Sequence, residues 1–480
     1  MRGGRIMLLS FSFNGIKKTY MRMEPGRRKS VFSPVRRNLL RLPGMVGAYL
    51  DGTDTDVLVI QQPISIEGKD KLDLRKVEED LAAWLVTEQE APLIFDDEPG
   101  RVYYAVIDGS FEPEQIVNFG RGTINFICPK SRKFALNETV ATFANAGTFE
   151  VGGTAKTEPV IDVHIKSDTT FVAVSDGEGN INMVGMPNKV EETPADPLTK
   201  VMQSYCNTTT GWTAITASSV EFGDLMGQLK TNGDEFYTDD YGTSTRWHGP
   251  GLKTGLSEAV QDFQYEAGFG MRSTPGQNQA GSIEVSVLDA NNTIVSKFTV
   301  TKHFGGSGTL YGRIRAKNHD IIGEDGPANS QNNWGGVFRV KRKGNVWTAE
   351  IWPHDGLRFH LQSRKTWVDT EEIAAAPITQ LQVRFFQRAA FPLANMNITD
   401  IIVYRQNDLE VDQVPILAHA GDIVTFDHTR DIILRNGEDI TREKAFIGSY
   451  FPLKPGANTI VVEPAEAIES AEVRWRDEWF

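Results

Sequence analysis

Ile423-Val-Thr-Phe426, Ile432-Ile-Leu434, Thr459-Ile-Val-Val462 and Val473-Arg-Trp475 are four short apolar runs within residues 418–480, each bounded by turn residues as strands are. Asn436-Gly437 is a two-residue hairpin signal, because both positions tolerate positive φ, and Pro455-Gly456 with Asn458 makes a second tight reversal. Four or so short strands with one apolar face need a second sheet to cover it. The residues just upstream read as a different module, so the covering half is expected from much earlier in the chain.

The 480 residues suggest about three domains at ~150 residues each. Frequent short alternating runs, few long helical patterns, 44 Gly and 22 Pro place the chain in the mostly β class. A net charge of −13 argues against a nucleic-acid reader, which would carry a basic face. The basic residues Arg27, Arg28, Lys29, Arg36, Arg37 and Arg41 read as a solvated strand edge or loop. Cys128 and Cys206 have no metal spacing and are expected as two separate reduced thiols. The apolar stretch from Ile6 to Phe13 is broken by Ser10 and Ser12 and lacks a cleavage site, so no signal peptide is expected and Met7 is a candidate start. No run of about 18 apolar residues predicts a membrane span.

One helix is predicted in the first 134 residues. Leu74, Val77, Leu81, Trp84 and Leu85 recur at three and four residues, with Glu78, Glu79 and Asp80 opposite and Asp70 or Asp73 as a cap. Its narrow stripe predicts packing across a sheet rather than ligand binding. Strands are expected at 93–95, 102–106 and 122–127, with Asp108-Gly109 as a hairpin signal.

The order of these motifs carries a resemblance. Phe13-Asn-Gly15, residues 43–49, the helix, Leu93-Ile-Phe-Asp96 and Phe126-Ile-Cys-Pro129 resemble the belt domain of siphophage distal tail proteins. Asn436-Gly437, residues 453–460 and Val473-Arg-Trp-Arg-Asp-Glu-Trp479 resemble that family's closing galectin-like β-sandwich, whose other half would be supplied by residues 135–192. The expected organisation is a belt domain at 7–134, an α+β unit with one helix, a split galectin-like sandwich at 135–192 plus 411–480, and an inserted sandwich at 193–410. The insertion alternates at period two in 282–288, 293–298, 346–352, 381–385 and 400–404, which predicts a jelly-roll-like β-sandwich. It resembles the carbohydrate-binding-module-like insertions of the family's so-called evolved members.

The resemblance implies a homohexameric ring at the distal end of a phage tail, made in the bacterial host cytoplasm. It implies contacts with the tail tube protein, with a baseplate hub protein and with host cell-wall saccharide, and no cofactor. Stacking on sugar rings draws attention to tryptophan. Trp347 shares a strand face with Ala349 and Ile351 and is expected in the core. Trp352 alternates to the other face with Glu350, and with His354 it is a candidate saccharide contact, as are Trp334 and Trp212. Trp247-His-Gly-Pro250 reads as a rigid turn.

The rival class is a cell-wall glycan hydrolase, which needs two carboxylates roughly 5 to 9.5 Å apart. Asp239 with Asp240, Glu324 with Asp325, and Glu350 with Asp355 are the acidic groups nearest aromatics, but none sits in a hydrolase motif, and Asp325 before Gly326-Pro327 suits a turn. Phosphate-loop, nucleophile-elbow, zinc and calcium-loop patterns are absent from the sequence. The reading is a non-enzymatic tail-tip protein.

Overall fold

A computed structural model of the chain describes residues 9–480 apart from 117, 190, 275–278, 304–309, 327–332, 355–358, 389–390, 392–394 and 447. Met7 and Asp355, singled out above, lie outside the described residues. Three separate apolar clusters organise the rest.

The first surrounds a sheet with spatial order Phe11–Phe13, Ala91–Phe95, Arg101–Asp108, Phe119–Cys128, Leu58–Glu67, Met21–Met23. Leu58–Glu67 pairs antiparallel with Phe119–Cys128 over its whole length. The helix Lys71–Leu85 buries Leu74, Val77, Leu81, Trp84 and Leu85. Asp70 is its cap, accepting from the amides of Leu72 and Asp73 at 2.8 Å each, while the Asp73 carboxylate accepts from the Lys69 amide. The Trp84 ring stacks on Phe11 at 5.6 Å, and its Nε1 donates to the Phe13 carbonyl at 2.9 Å. Trp84 thus satisfies its one polar atom while packing, the role expected of it.

One expectation fails in this unit and another holds in part: Arg28, Arg36, Arg37 and Arg41 are exposed as expected, while Arg27 and Lys29 are not. Gly109 has φ +75, but Asp108 pairs with Asn125, and the next strand begins only at Glu114, so the Asp-Gly pair opens a longer connection. Arg27 and Lys29 are not free in solvent: Arg27 lies 3.9 Å over the Phe95 ring and 2.9 Å from Asp97, and Lys29 donates to Tyr103 Oη at 2.6 Å and pairs with Glu98. A hairpin, Val35–Leu40 with Tyr49–Thr55, stands apart as a two-stranded sheet of its own.

The second cluster lies between two sheets built from distant parts of the chain. Thr139–Phe143 pairs with Ile468–Trp475, and Val160–Ile165 lies between that strand and Ile423–Asp427. Opposite, Gly456–Glu463 pairs with Ala146–Val151 and Phe171–Ser175. Ile161, Val163, Phe426, Ile460, Val462 and Val473 fill the space between. Asn436 (φ +50) and Gly437 (φ +85) close a two-residue turn in which Arg435 pairs with Glu438.

The third cluster is the core of a sandwich between an eight-stranded and a nine-stranded sheet. Phe298 stacks on Phe338 at 3.8 Å across the interior, with Tyr265, Trp347 and Ile351 around them. Where the chain passes into and out of this region, Thr193–Ala195 and Gln413–Pro415 run side by side as a parallel pair. The Thr193 amide donates to the Asp412 carbonyl at 2.8 Å and the Ile416 amide to the Ala195 carbonyl at 3.0 Å.

Candidate functional site

The five residues singled out from the sequence do not converge. Trp334 on Asn333–Lys343 is 1% exposed and points into the sandwich, edge-on to Phe269 at 5.6 Å. The facing strand carries Gly312, where a Cβ would come within 2.6 Å of the Trp334 ring. Trp347 is fully buried, as its alternation with Ala349 and Ile351 requires. Trp352 and Glu350 do share the opposite face of Val346–Pro353, but that face is closed: they are 4% and 0% exposed. Trp352 Nε1 donates to Glu350 Oε2 at 3.1 Å. Arg364, Arg339 and Arg442 approach the Glu350 carboxylate at 3.3, 3.6 and 3.8 Å. Arg442 arrives from the short 3-10 turn Thr441–Glu443 of the other sandwich, a cover that no local pattern announces. His354 is exposed and packs edge-on against Phe359 at 4.7 Å. Trp212 is half-buried, T-shaped on Phe236 at 5.1 Å, beside a separate cavity with Leu225 and Pro250.

Among the described acidic residues weighed for hydrolysis, Asp239 and Glu324 are engaged elsewhere. Asp239 pairs with Lys230 at 2.6 Å, which holds its carboxyl below the usual range, and Glu324 accepts from Gln362 at 2.8 Å. Among the described residues no group of three or more His, Cys, Asp or Glu is placed to hold a metal ion. Cys128 and Cys206 are buried and unpaired, and burial pushes both thiols up to about 12.

A groove of about 390 Å³ lies on the outer face of the nine-stranded sheet. Alternation places Ser282 and Glu284 of Gly281–Leu288, Lys297 and Thr299 of Ile294–Lys302, and Arg313 and Arg315 of Leu310–Ala316 on this face, opposite the apolar interior. Residues 217–225 form one wall, fastened from below. Gln382 Nε2 donates to the Ser219 carbonyl at 3.2 Å, and Arg384 donates to the carbonyls of Phe222 and Asp224. Lys297 sits between two carboxylates, 2.7 Å from Glu221 and 3.1 Å from Glu284. At one end Phe222, Trp247 and Phe386 form a ring cluster with centroids 5.8 to 6.1 Å apart. Trp247–Gly249 is a strand paired with Ile378–Arg388, rather than the turn that Gly249-Pro250 suggests. The polar positions of 282–286 carry the signal for this face, but its covering segment lies some sixty residues upstream.

Residues 17–128 match the family model of the phage tail protein RIFT-related domain. A comparison with curated proteins finds no match. Among solved structures, the Dit (gp 19.1) protein of phage SPP1 is similar at 21% identity over 37% of this chain and 75% of that one, with a TM-score of 0.33. The CBM2 module of the evolved Dit of Lactobacillus casei BL23 phage J-1 is similar at 16% identity over 45% of this chain and 99% of that one, TM-score 0.37. A Bacillus licheniformis β-glucanase is similar at 8% identity over 44% and 99%, TM-score 0.29. Residues 17–128 thus match the model of a phage tail domain, which bears out the resemblance of the chain to siphophage tail proteins.

Proposed function

We propose that the chain is a ring-forming hub of a siphophage tail tip, a homohexamer joining the tail tube protein to a baseplate hub protein at the distal end of the virion. Residues 7–134 serve as the belt, 135–192 with 411–480 as a split galectin-like sandwich, and 193–410 as an inserted module that binds host cell-wall saccharide without catalysis.

The observation that carries the ring is the isolated hairpin arm. Val31, Phe32, Leu39, Leu40, Leu42, Val46, Tyr49 and Leu50 are all exposed on or beside it, Val46 completely. A two-stranded ribbon is marginal in water, and so dense a group of apolar side chains marks a surface that a further protein covers. Identical arms packing on neighbouring copies would bury them through a repeated head-to-tail contact, which closes into a ring. Mass photometry of the full chain at micromolar concentration tests this. A hexamer is expected, with Leu39→Asp plus Tyr49→Asp reducing it to monomer; a wild-type chain that stays monomeric would falsify the ring. For the saccharide role, the full chain should sediment with purified bacterial cell walls.

A further inference from the structure

We propose that the groove beneath residues 217–225 is the saccharide site of the middle module and that it takes a neutral pyranose chain, an inference that rests on the saccharide-binding reading above. Its volume of about 390 Å³ lies in the range of ligand sites, and its two halves supply the two kinds of contact a sugar needs. One end offers ring faces. Phe222 is 51% exposed despite its size, and Trp247 beside it is half-buried, so a pyranose can lay its C–H face against them. The other end offers fixed donors and acceptors for hydroxyls: the carboxylates of Glu221 and Glu284, the Lys297 ammonium and the Thr299 hydroxyl. Arg315 pairs with Glu221 through Nη2, yet its buried Nε finds no acceptor among the described residues.

The charges select the class. Lys297 is matched by Glu221 and Glu284, Arg315 by Glu221, and Arg313 by Asp320 at 2.7 and 2.8 Å. Three cations thus face three carboxylates, so that among the described Lys and Arg residues of the groove no cation is left unmatched for the phosphodiester of a teichoic-type polymer. The same pairing argues against hydrolysis, because both groove carboxylates are engaged by Lys297 and neither is free to protonate a leaving oxygen. The wall is held from beneath by Gln382 and Arg384, so the site is pre-formed and binding need not order it.

The test uses the full chain, with soluble β-glucan, galactan and rhamnan oligosaccharides as neutral probes and poly(glycerol phosphate) as the anionic one, read by titration calorimetry and by sedimentation with intact walls. Binding of at least one neutral probe is expected, weakened tenfold or more by Phe222→Ala and by Trp247→Ala, and unchanged by Trp212→Ala at the separate cavity. Phe222 is exposed enough that its variant should keep the wild-type melting temperature, which separates loss of binding from loss of fold. If both groove variants bind as wild type while Trp212→Ala does not, the groove assignment is overturned and the module remains a saccharide binder. Binding of poly(glycerol phosphate) alone overturns the neutral class. Failure of the wild-type chain to bind any probe or wall overturns both the groove and the reading on which it rests, and sugar release from a neutral probe overturns the non-catalytic assignment.

Discussion

Arg339 Nη2 donates to Glu438 Oε2 at 3.0 Å, joining two residues 99 positions apart whose strands belong to different sandwiches. A second guanidinium nitrogen contacts the other oxygen of Glu438, and Arg339 Nε lies 2.6 Å from Glu266. Burial alone would raise the Glu438 carboxyl, but the hydrogen bond and charge of Arg339 overcome it and hold the group below the usual range.

Glu438→Ala should therefore destabilise the chain by about 3 kcal/mol, because it leaves a buried guanidinium one carboxylate short rather than removing a solvated surface pair. Since the folded-state pKa is depressed, this contribution is present above the ordinary glutamate range and is lost as pH falls through the folded value. Denaturant melts of both chains at neutral pH and at pH 3 measure it: the gap should be wider at pH 7 than at pH 3.

His428 gives an acid response of its own. Burial against Tyr450 and Phe451 lowers its pKa to about 4. The unfolded chain therefore takes up this proton first, near pH 6.5, and stability is full above that value and declines as pH falls toward 4, by about 3 kcal/mol over the window. His428→Gln should flatten the decline between pH 6.5 and 4, as followed by melting temperature. An unchanged slope would mean that the imidazole is not buried as a neutral ring.

Trp334→Ala should cost roughly 3 to 5 kcal/mol, the loss for a large aromatic fully enclosed in a core. Gly312→Val should be destabilising as well, because its side chain would overlap the Trp334 ring. Trp352→Ala should behave as a stability variant, since the ring is enclosed and its Nε1 is hydrogen-bonded to Glu350. Thermal melts decide all three, and a Trp352→Ala chain with wild-type stability would refute the enclosure.

Replacing residues 197–408 with a short Gly/Ser linker should leave a soluble chain in which the split sandwich melts in one sharp transition. The strands on either side of the removed segment are already paired, and closing a short loop costs little. Aggregation of every such deletion would show that the sandwich needs the segment in order to fold.

What the sequence discloses follows the range over which each feature is encoded. Asn436-Gly437 sets its own turn, and the stripe Leu74, Val77, Leu81, Trp84 and Leu85 sets its own helix face, so both were readable from neighbours alone. The alternation that puts Trp352 with Glu350 was equally local and holds. The openness of that face was not local: Arg442, about ninety residues on, helps to close it. The groove escaped for the same reason. Ser282, Glu284 and Ser286 are the polar positions of the alternating run 282–288, and only the return of residues 217–225 turns their side into a walled site. Trp247 was misread because Gly249-Pro250 imitates a turn, while Ile378–Arg388, far along the chain, supplies the strand partner.

The parallel contact between Thr193–Ala195 and Gln413–Pro415 also bears on how such a chain can diversify. Because departure and return are adjacent, the connection acts as a socket: its mechanical demand on whatever is plugged in is only that the two ends lie a strand's width apart. Exchange of the cargo between these points, by recombination or by design, can change the inserted module while the scaffold beneath keeps its geometry.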